Sequence, residues 1–179
     1  IGVDLQGRRQ WGLANRRAFG GGRISLATDG KILWIANVDG GDKCFSIWRC
    51  DLKTGAYAAW NRKDKDGKPI LDLPIREKDG FEQMRAIAVK GNSLAVILAG
   101  ERKLLLLDAE TGDTLKELAN LPEGLTTIAF RADGKLLLVA ADKLYVTDPA
   151  AAAPTILASG LIAPHSLAVD AEGRIYVSQ

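Results

Sequence analysis

Few residues in this sequence are able to do chemistry. It has one histidine, His165, and two cysteines, Cys44 and Cys50, in 179 residues. A zinc ion needs three or four N, S or O ligands, so His165 could hold one only with ligands from elsewhere. A Ser-His-Asp triad would have to use the same histidine, and nothing in the sequence sets a nucleophile beside it. Gly-x-Ser-x-Gly, P-loop, His-Glu-x-x-His and Cys-x-x-Cys patterns are all absent. Asp64-Lys65-Asp66-Gly67 is similar to part of a calcium loop. With Gly67 at the sixth position, however, the first position is Arg62 and the twelfth is Leu73, so both key ligands fail. The segment reads as a solvated loop.

Cys44 and Cys50 are six residues apart in Cys44-Phe45-Ser46-Ile47-Trp48-Arg49-Cys50. On an extended strand six steps of about 3.3 Å separate their Cα atoms by roughly 20 Å. A disulfide needs about 4.4–6.8 Å, so the pair reads as two buried free thiols. Their even spacing turns them to one face with Trp48.

The charge balance of 24 Lys+Arg against 22 Asp+Glu gives +2, and aromatic residues make up 6%. No basic run is interleaved with aromatics, so a nucleic-acid partner is not expected. The longest apolar runs, such as Leu104 to Leu107, fall far short of the roughly 20 residues that span a bilayer, so no membrane span is expected. The sequence opens on strand-like Ile1-Gly2-Val3-Asp4 and closes on strand-like Arg174 to Gln179. It is expected to be a segment of a longer protein, with any targeting signal lying outside it.

The elements that must position these side chains come from repeats. Four stretches of 13 residues align without gaps: ISLATDGKILWIA from Ile24, IAVKGNSLAVILA from Ile87, IAFRADGKLLLVA from Ile128 and LAVDAEGRIYVSQ from Leu167. Each reads as strand, tight turn, strand. The expected turn centres are Asp29-Gly30, Asn92-Ser93, Asp133-Gly134 and Glu172-Gly173, in the type I′ form that apolar-flanked Asp-Gly favours. A second element follows the complete hairpins, as Asp51-Leu52-Lys53-Thr54-Gly55 and Asp108-Ala109-Glu110-Thr111-Gly112. A shorter version, Asp4 to Gly7, stands near the start of the sequence. Asp can bond backbone amides there while Gly takes the left-handed position, so a third strand turns into a fourth. The fourth strands are expected at Arg9 to Leu13, Ala56 to Trp60, Thr114 to Leu118 and Thr155 to Ala158.

The unit is therefore four antiparallel strands in about 40 residues, a period that signals a propeller or solenoid. Nearly continuous apolar second strands imply burial on both faces, as when each sheet is sandwiched between neighbours. A β-propeller provides that arrangement. The expected organisation is the last two strands of a blade at 1–20, blades at 21–60, 81–120 and 121–160, an inserted loop at 61–80, and the first two strands of a blade at 161–179. The half blades could pair with each other and close a four-bladed ring. The reading adopted is that they are open edges of a larger ring.

Ala163 to Ser178 resembles an NHL repeat. The Asp-x-x-Thr-Gly turns followed by a late Trp, as in Asp51 to Trp60, resemble quinoprotein-like and YVTN propellers. The resemblance implies a ring of six to eight blades, used as a binding platform and sometimes as an enzyme, with a periplasmic or secreted location favoured. It also implies that a histidine at a channel mouth can bind a divalent metal, a role His165 could take with ligands from other blades of the full-length protein. No cofactor is otherwise expected.

The meander puts the hairpin turns and Asp-x-x-Thr-Gly turns on one rim and the longer loops on the other. Variable loops on a rigid scaffold are where binding resides. The long loops are Ala14 to Gly22, Asn37 to Lys43, Asn61 to Gly80, Ala119 to Gly124 and Ser159 to Pro164. Their candidate residues are Arg17, Asp42, Lys43, Asp64 and Asp66. Two residues before each innermost strand, at the channel mouth, stand Gly22, Arg85, Thr126 and His165. Arg85 and His165 could engage an anionic or carbonyl group. The insertion, with six basic and five acidic residues, is a candidate lid for a partner. The expected function is a non-catalytic scaffold binding a protein, peptide or glycan, alongside the rest of its own ring. The alternatives are a metal-dependent lyase or hydrolase with its site at the channel mouth, or a quinoprotein-type oxidoreductase. Trp11, Trp34, Trp48 and Trp60 are read as blade packing.

Overall fold

A computed structural model describes residues 2–3, 9–11, 24–39, 44–76, 84–151 and 153–179. These residues form strands and turns, with no helix among them. The strands are β1 (Gly2–Val3), β2 (Arg9–Trp11), β3 (Ile24–Thr28), β4 (Ile32–Asp39), β5 (Cys44–Asp51), β6 (Tyr57–Ala58), β7 (Asp72–Arg76), β8 (Met84–Lys90) and β9 (Ser93–Leu98). They continue as β10 (Lys103–Asp108), β11 (Thr114–Leu118), β12 (Leu125–Phe130), β13 (Leu136–Ala140), β14 (Lys143–Thr147), β15 (Thr155–Ser159), β16 (Ser166–Val169) and β17 (Ile175–Ser178).

Sheet order follows chain order. β8 to β11 and β12 to β15 are four-stranded antiparallel meanders, while β1–β2 and β16–β17 are separate two-stranded sheets. The remaining sheet runs β3-β4-β5-β6, with β7 also paired to β5. The first strands of successive sheets lie against one another, β3 on β8, β8 on β12 and β12 on β16. Each meander therefore starts at the axis and works outward, the radial arrangement of a β-propeller.

Burial explains why these residues form these strands. The second strands β9 and β13 are buried on both sides, Leu94 to Leu98 and Leu136 to Ala140. Alternate residues of each sheet feed the two flanking interfaces. Leu94 and Val96 pack with Trp34 and Ile47 toward the preceding sheet, whereas Ala95 and Ile97 pack with Leu136 and Leu138 toward the following one. Leu137 and Val139 then meet Leu167, Val169 and Ile175 of the last hairpin. Burial of this kind contributes about 25 cal/mol per Å² of apolar surface. Near the axis a polar link crosses the first interface: the Ile87 amide donates to Ser25 Oγ at 3.0 Å.

The hairpin turns differ from expectation. Gly30, Gly134 and Gly173 have positive φ (89°, 83° and 81°), but their neighbours do not, so the type I′ form is not adopted. Instead the Asp29 carboxylate accepts the Lys31 and Ile32 amides, and Arg131 closes a longer loop onto Lys135. In the second hairpin Lys90 pairs with Ser93, which centres the turn on Gly91-Asn92, one residue before the expected pair.

The insertion is the largest correction. After β6 the chain leaves the sheet, forms a small hairpin with Lys63 opposite Pro69, and returns as β7 beside the same strand β5. The expected fourth strand Ala56 to Trp60 is thus split in two. Residues 61–71 leave from the middle of the outer edge, not from the loop-bearing rim, because β5 is long enough to pair with both halves. β11 matches its expected span, and β15 reaches one residue further than expected.

Candidate functional site

Two rims frame the axis. On one, each hairpin turn is tied to the Asp-x-x-Thr-Gly turn of its own blade: Leu52 N donates to Lys31 O and Ala109 N to Asn92 O, at 2.8 and 3.0 Å. The Asp turns are wired alike. Thr54 N donates to Asp51 Oδ1 and Thr111 N to Asp108 Oδ1, both at 2.7 Å, and Gly55 and Gly112 take φ of 71° and 75°. The Thr54 amide and hydroxyl hold the Asp51 carboxyl below its ordinary pKa, and the Thr111 amide does most to lower that of Asp108. These aspartates are committed to their turns.

The same rim carries a contact that spacing alone did not reveal. The Arg49 guanidinium lies 5.9 Å from the Trp34 ring centroid and 5.4 Å from that of Trp60. Its Nη1 donates to Ala59 O and to Glu110 O, at 3.0 and 3.2 Å. Trp34 Nε1 donates to Ala109 O, and Trp60 Nε1 to Ile47 O. The cluster clamps the first complete blade to the Asp108 turn of the next, and Asn61 N, at the root of the insertion, bonds Glu110 O there. Burial pulls the pKa of Arg49 down, and Glu110 partly offsets this. Trp34 and Trp60 are both packing residues at 2% exposure. Trp48 packs on Tyr57 with ring centroids 5.2 Å apart, and Cys50 is a buried free thiol.

A shallow cavity of about 320 Å³ lies between the ends of β8, β12 and β16, at the turn-rim mouth of the axis. Lys90 Nζ sits there, donating to Arg131 O and Ala132 O at 2.9 and 2.7 Å. That ammonium ties two blades together.

The loop-bearing rim holds the other mouth. Arg85 falls where β8 shifts register against β9, between Met84 and Ala86, and Thr126 falls where β12 shifts against β13, between Leu125 and Thr127. A bulge re-aims the extra residue out of the regular ladder. His165 stands at the matching position, one residue before Ser166, which pairs with Ser178; its amide donates to Ser178 O. Three consecutive innermost strands therefore carry Arg85, Thr126 and His165 at one level. Thr126 and His165 are exposed. The Thr126 hydroxyl donates to Val139 O at 3.3 Å, while the His165 imidazole has no hydrogen-bond partner among the described residues. Arg85 is placed by its backbone alone.

The remaining candidates separate from this group. Arg17, Asp42 and Lys43, like Gly22, lie outside the described residues, as does the side chain of Trp11. Asp64 and Asp66 sit on the outer-edge hairpin, where Asp64 Oδ1 accepts the Asp66 and Lys68 amides and so holds the turn. They are not rim residues. Among the described residues no group of three His, Cys, Asp or Glu could hold a metal ion, so none of them completes a donor set around His165.

No protein-family model matches the sequence, and no curated protein does. The fold is similar to solved structures. Glutaminyl cyclase of Myxococcus xanthus superposes with a TM-score of 0.54 at 13% identity, over 88% of this chain and 69% of that one. Hydrazine synthase of Kuenenia stuttgartiensis gives 0.61 at 18%, over 96% and 45%. A structure of the nidogen/laminin complex gives 0.56 at 18%, over 83% and 53%. The chain thus spans about half the length of the last two. At such identities the likeness concerns architecture, and with the radial meanders it makes this chain part of a β-propeller.

Proposed function

We propose that the chain is an arc of a larger propeller ring acting as a binding scaffold, with a protein, peptide or glycan partner seated at the loop-bearing mouth of the axis. The observation that carries this reading is the common level of Arg85, Thr126 and His165 on three neighbouring innermost strands. Strand starts on a radial core hold these backbone positions at one level, and preorganisation of that kind lowers the entropic cost of engaging a ligand. A cation, a hydroxyl and an imidazole together suit carbonyl, carboxylate or sugar hydroxyl groups. The NHL-like and quinoprotein-like character of the repeats, read from Ala163 to Ser178 and Asp51 to Trp60, belongs to the same proposal, as does the separate state of the β1–β2 and β16–β17 pairs in a ring of six to eight blades. A periplasmic or secreted location follows from that character, without nucleic acid as partner. Among enzymes of this shape, a channel-mouth lyase would draw on the same Arg85 and His165.

The test is capture of arrayed glycans and arrayed peptides by the chain. Wild type is expected to retain a defined set that the Arg85→Ala/His165→Ala double variant loses while keeping its circular dichroism spectrum. Equal capture by both proteins would remove this mouth as the binding site.

A further inference from the structure

The tripeptide Asp-Gly-Lys occurs three times, beginning at Asp29, Asp66 and Asp133. An aspartate before glycine is open to attack by the next backbone nitrogen, because glycine has no side chain to obstruct the approach. The three turns are alike around that glycine. Gly30, Gly67 and Gly134 have φ of 89°, 78° and 83°, with nothing within 4 Å of the Cβ direction. Each glycine amide also donates to one acceptor: Thr28 Oγ1 at 3.0 Å, Asp64 O at 3.0 Å and Arg131 O at 3.1 Å.

The carboxylates differ. Asp29 Oδ1 accepts the Lys31 and Ile32 amides, both at 2.8 Å. Asp133 Oδ1 accepts the Lys135 amide at 3.1 Å, and its Oδ2 lies 3.5 Å from Arg131 Nη2. In the hairpin between β6 and β7 that role falls to Asp64, whose Oδ1 accepts the Asp66 and Lys68 amides. Asp66 is exposed, and its own carboxylate has no hydrogen bond or ion pair among the described residues.

We propose that Asp66 is a site of spontaneous isomerisation to isoaspartate, set apart from two identical tripeptides by the freedom of its carboxyl group. The Gly67 nitrogen bonds to Asp66 Cγ, the amide proton and the carboxyl hydroxyl leave as water, and a succinimide ring closes. Water then adds to one of the two ring carbonyls. Opening at the former main-chain carbonyl routes the chain through Cγ and frees the α-carboxyl, whereas opening at the other restores aspartate. The water lost is regained, and nothing is oxidised or reduced. Closure needs a protonated carboxyl group and a rotation of Cγ toward the next nitrogen. Donors on a carboxylate favour its ionised form and pin the side chain to its own turn. Asp29 and Asp133 are restrained in both ways, and Asp66 in neither. The hairpin also opens without disturbing a core, because it stands outside the sheet, paired through the Lys63–Pro69 bridge.

Ageing of the folded chain at neutral pH and body temperature, in heavy-oxygen water, tests this. Isoaspartate is measured at each site by peptide mapping against synthetic standards of both linkages. Residue 66 is expected to carry several-fold more of it than residue 29 or 133, with one solvent oxygen gained per event. In concentrated urea, where the three carboxylates lose their turns, the three rates are expected to converge. Asp66→Glu, which would have to close a larger ring, is expected to remove the product at that position. Equal accumulation at the three sites of the folded chain, or a ranking that persists unchanged in urea, would overturn the proposal. So would a residue 66 that remains aspartate throughout, or a product there that has gained no solvent oxygen.

Discussion

Gly112 and Leu73 meet across the boundary between two blades: a Cβ on Gly112 would fall 2.7 Å from Leu73 Cδ2 and 3.3 Å from Trp60 Cε3. The Asp108 turn closes against a leucine delivered by the strand that follows the insertion. At this position glycine supplies both the left-handed φ of 75° and the room for Leu73.

Gly112→Ala is therefore expected to cost more than Gly134→Ala, although both residues have positive φ. Gly134 has open space around its Cβ direction, so alanine there costs the conformational strain of about 1–2 kcal/mol. At Gly112 overpacking of Leu73 adds about 1 kcal/mol or more. Urea unfolding of the two variants checks this, and equal midpoints would refute the contact.

Trp60→Ala is expected to destabilise by about 3–5 kcal/mol, because it empties a fully buried site in the first inter-blade cluster. Arg49→Met keeps bulk there but removes the two Nη1 hydrogen bonds and the cation–π contacts, for a loss of about 1–2 kcal/mol. If Arg49→Met alone matched Trp60→Ala, the guanidinium and not the indole would be the core of the clamp.

Asp51 and Asp108 make stability depend on acidity in a definite direction. Amide and hydroxyl donors hold their folded pKa values below the ordinary 3.8. Their contribution is complete above that value and is lost as pH falls below 3.8 through the lowered folded values. An Asp51→Asn/Asp108→Asn variant keeps acceptor oxygens in place and is expected to lose melting temperature less steeply than wild type below about pH 4. Parallel acid profiles would mean that other groups set the slope.

Replacing residues 61–71 with a short turn is expected to leave ligand capture at the loop-bearing mouth unchanged, since the hairpin leaves from the outer edge. Stability should fall, because Asn61 N bonds Glu110 O and Arg62 Nη1 lies 3.4 Å from Asp113 Oδ1. Capture measured on the same glycan and peptide arrays would decide it, and a variant that folded but lost capture would return the insertion to the binding surface.

The repeat unit, the order of its strands and the two buried second strands are legible in the sequence because each rests on a local rule. Apolar runs such as Leu94 to Leu98 mark burial on both faces, and Asp51 and Asp108 mark turns through spacing to Thr and Gly. The level shared by Arg85, Thr126 and His165 follows from the same alignment. Other features depend on partners distant in the chain. The split of one outer strand into β6 and β7 could not be read locally, since the alternation of Leu71, Leu73 and Ile75 is broken by Pro74 and gives no sign that β5 is the partner. The Arg49 clamp is equally hidden, for it joins residues from four strands and turns. The one-residue shift to Gly91-Asn92 escaped because an ungapped alignment imposes one turn length on hairpins that have two.

The excursion between β6 and β7 departs from and rejoins one sheet border, so its tip answers to no inner strand. Cargo grafted at Asp66-Gly67 would hang from the flank of the disc like a pendant. The chain could thus gain or exchange an appendage there without re-threading its core.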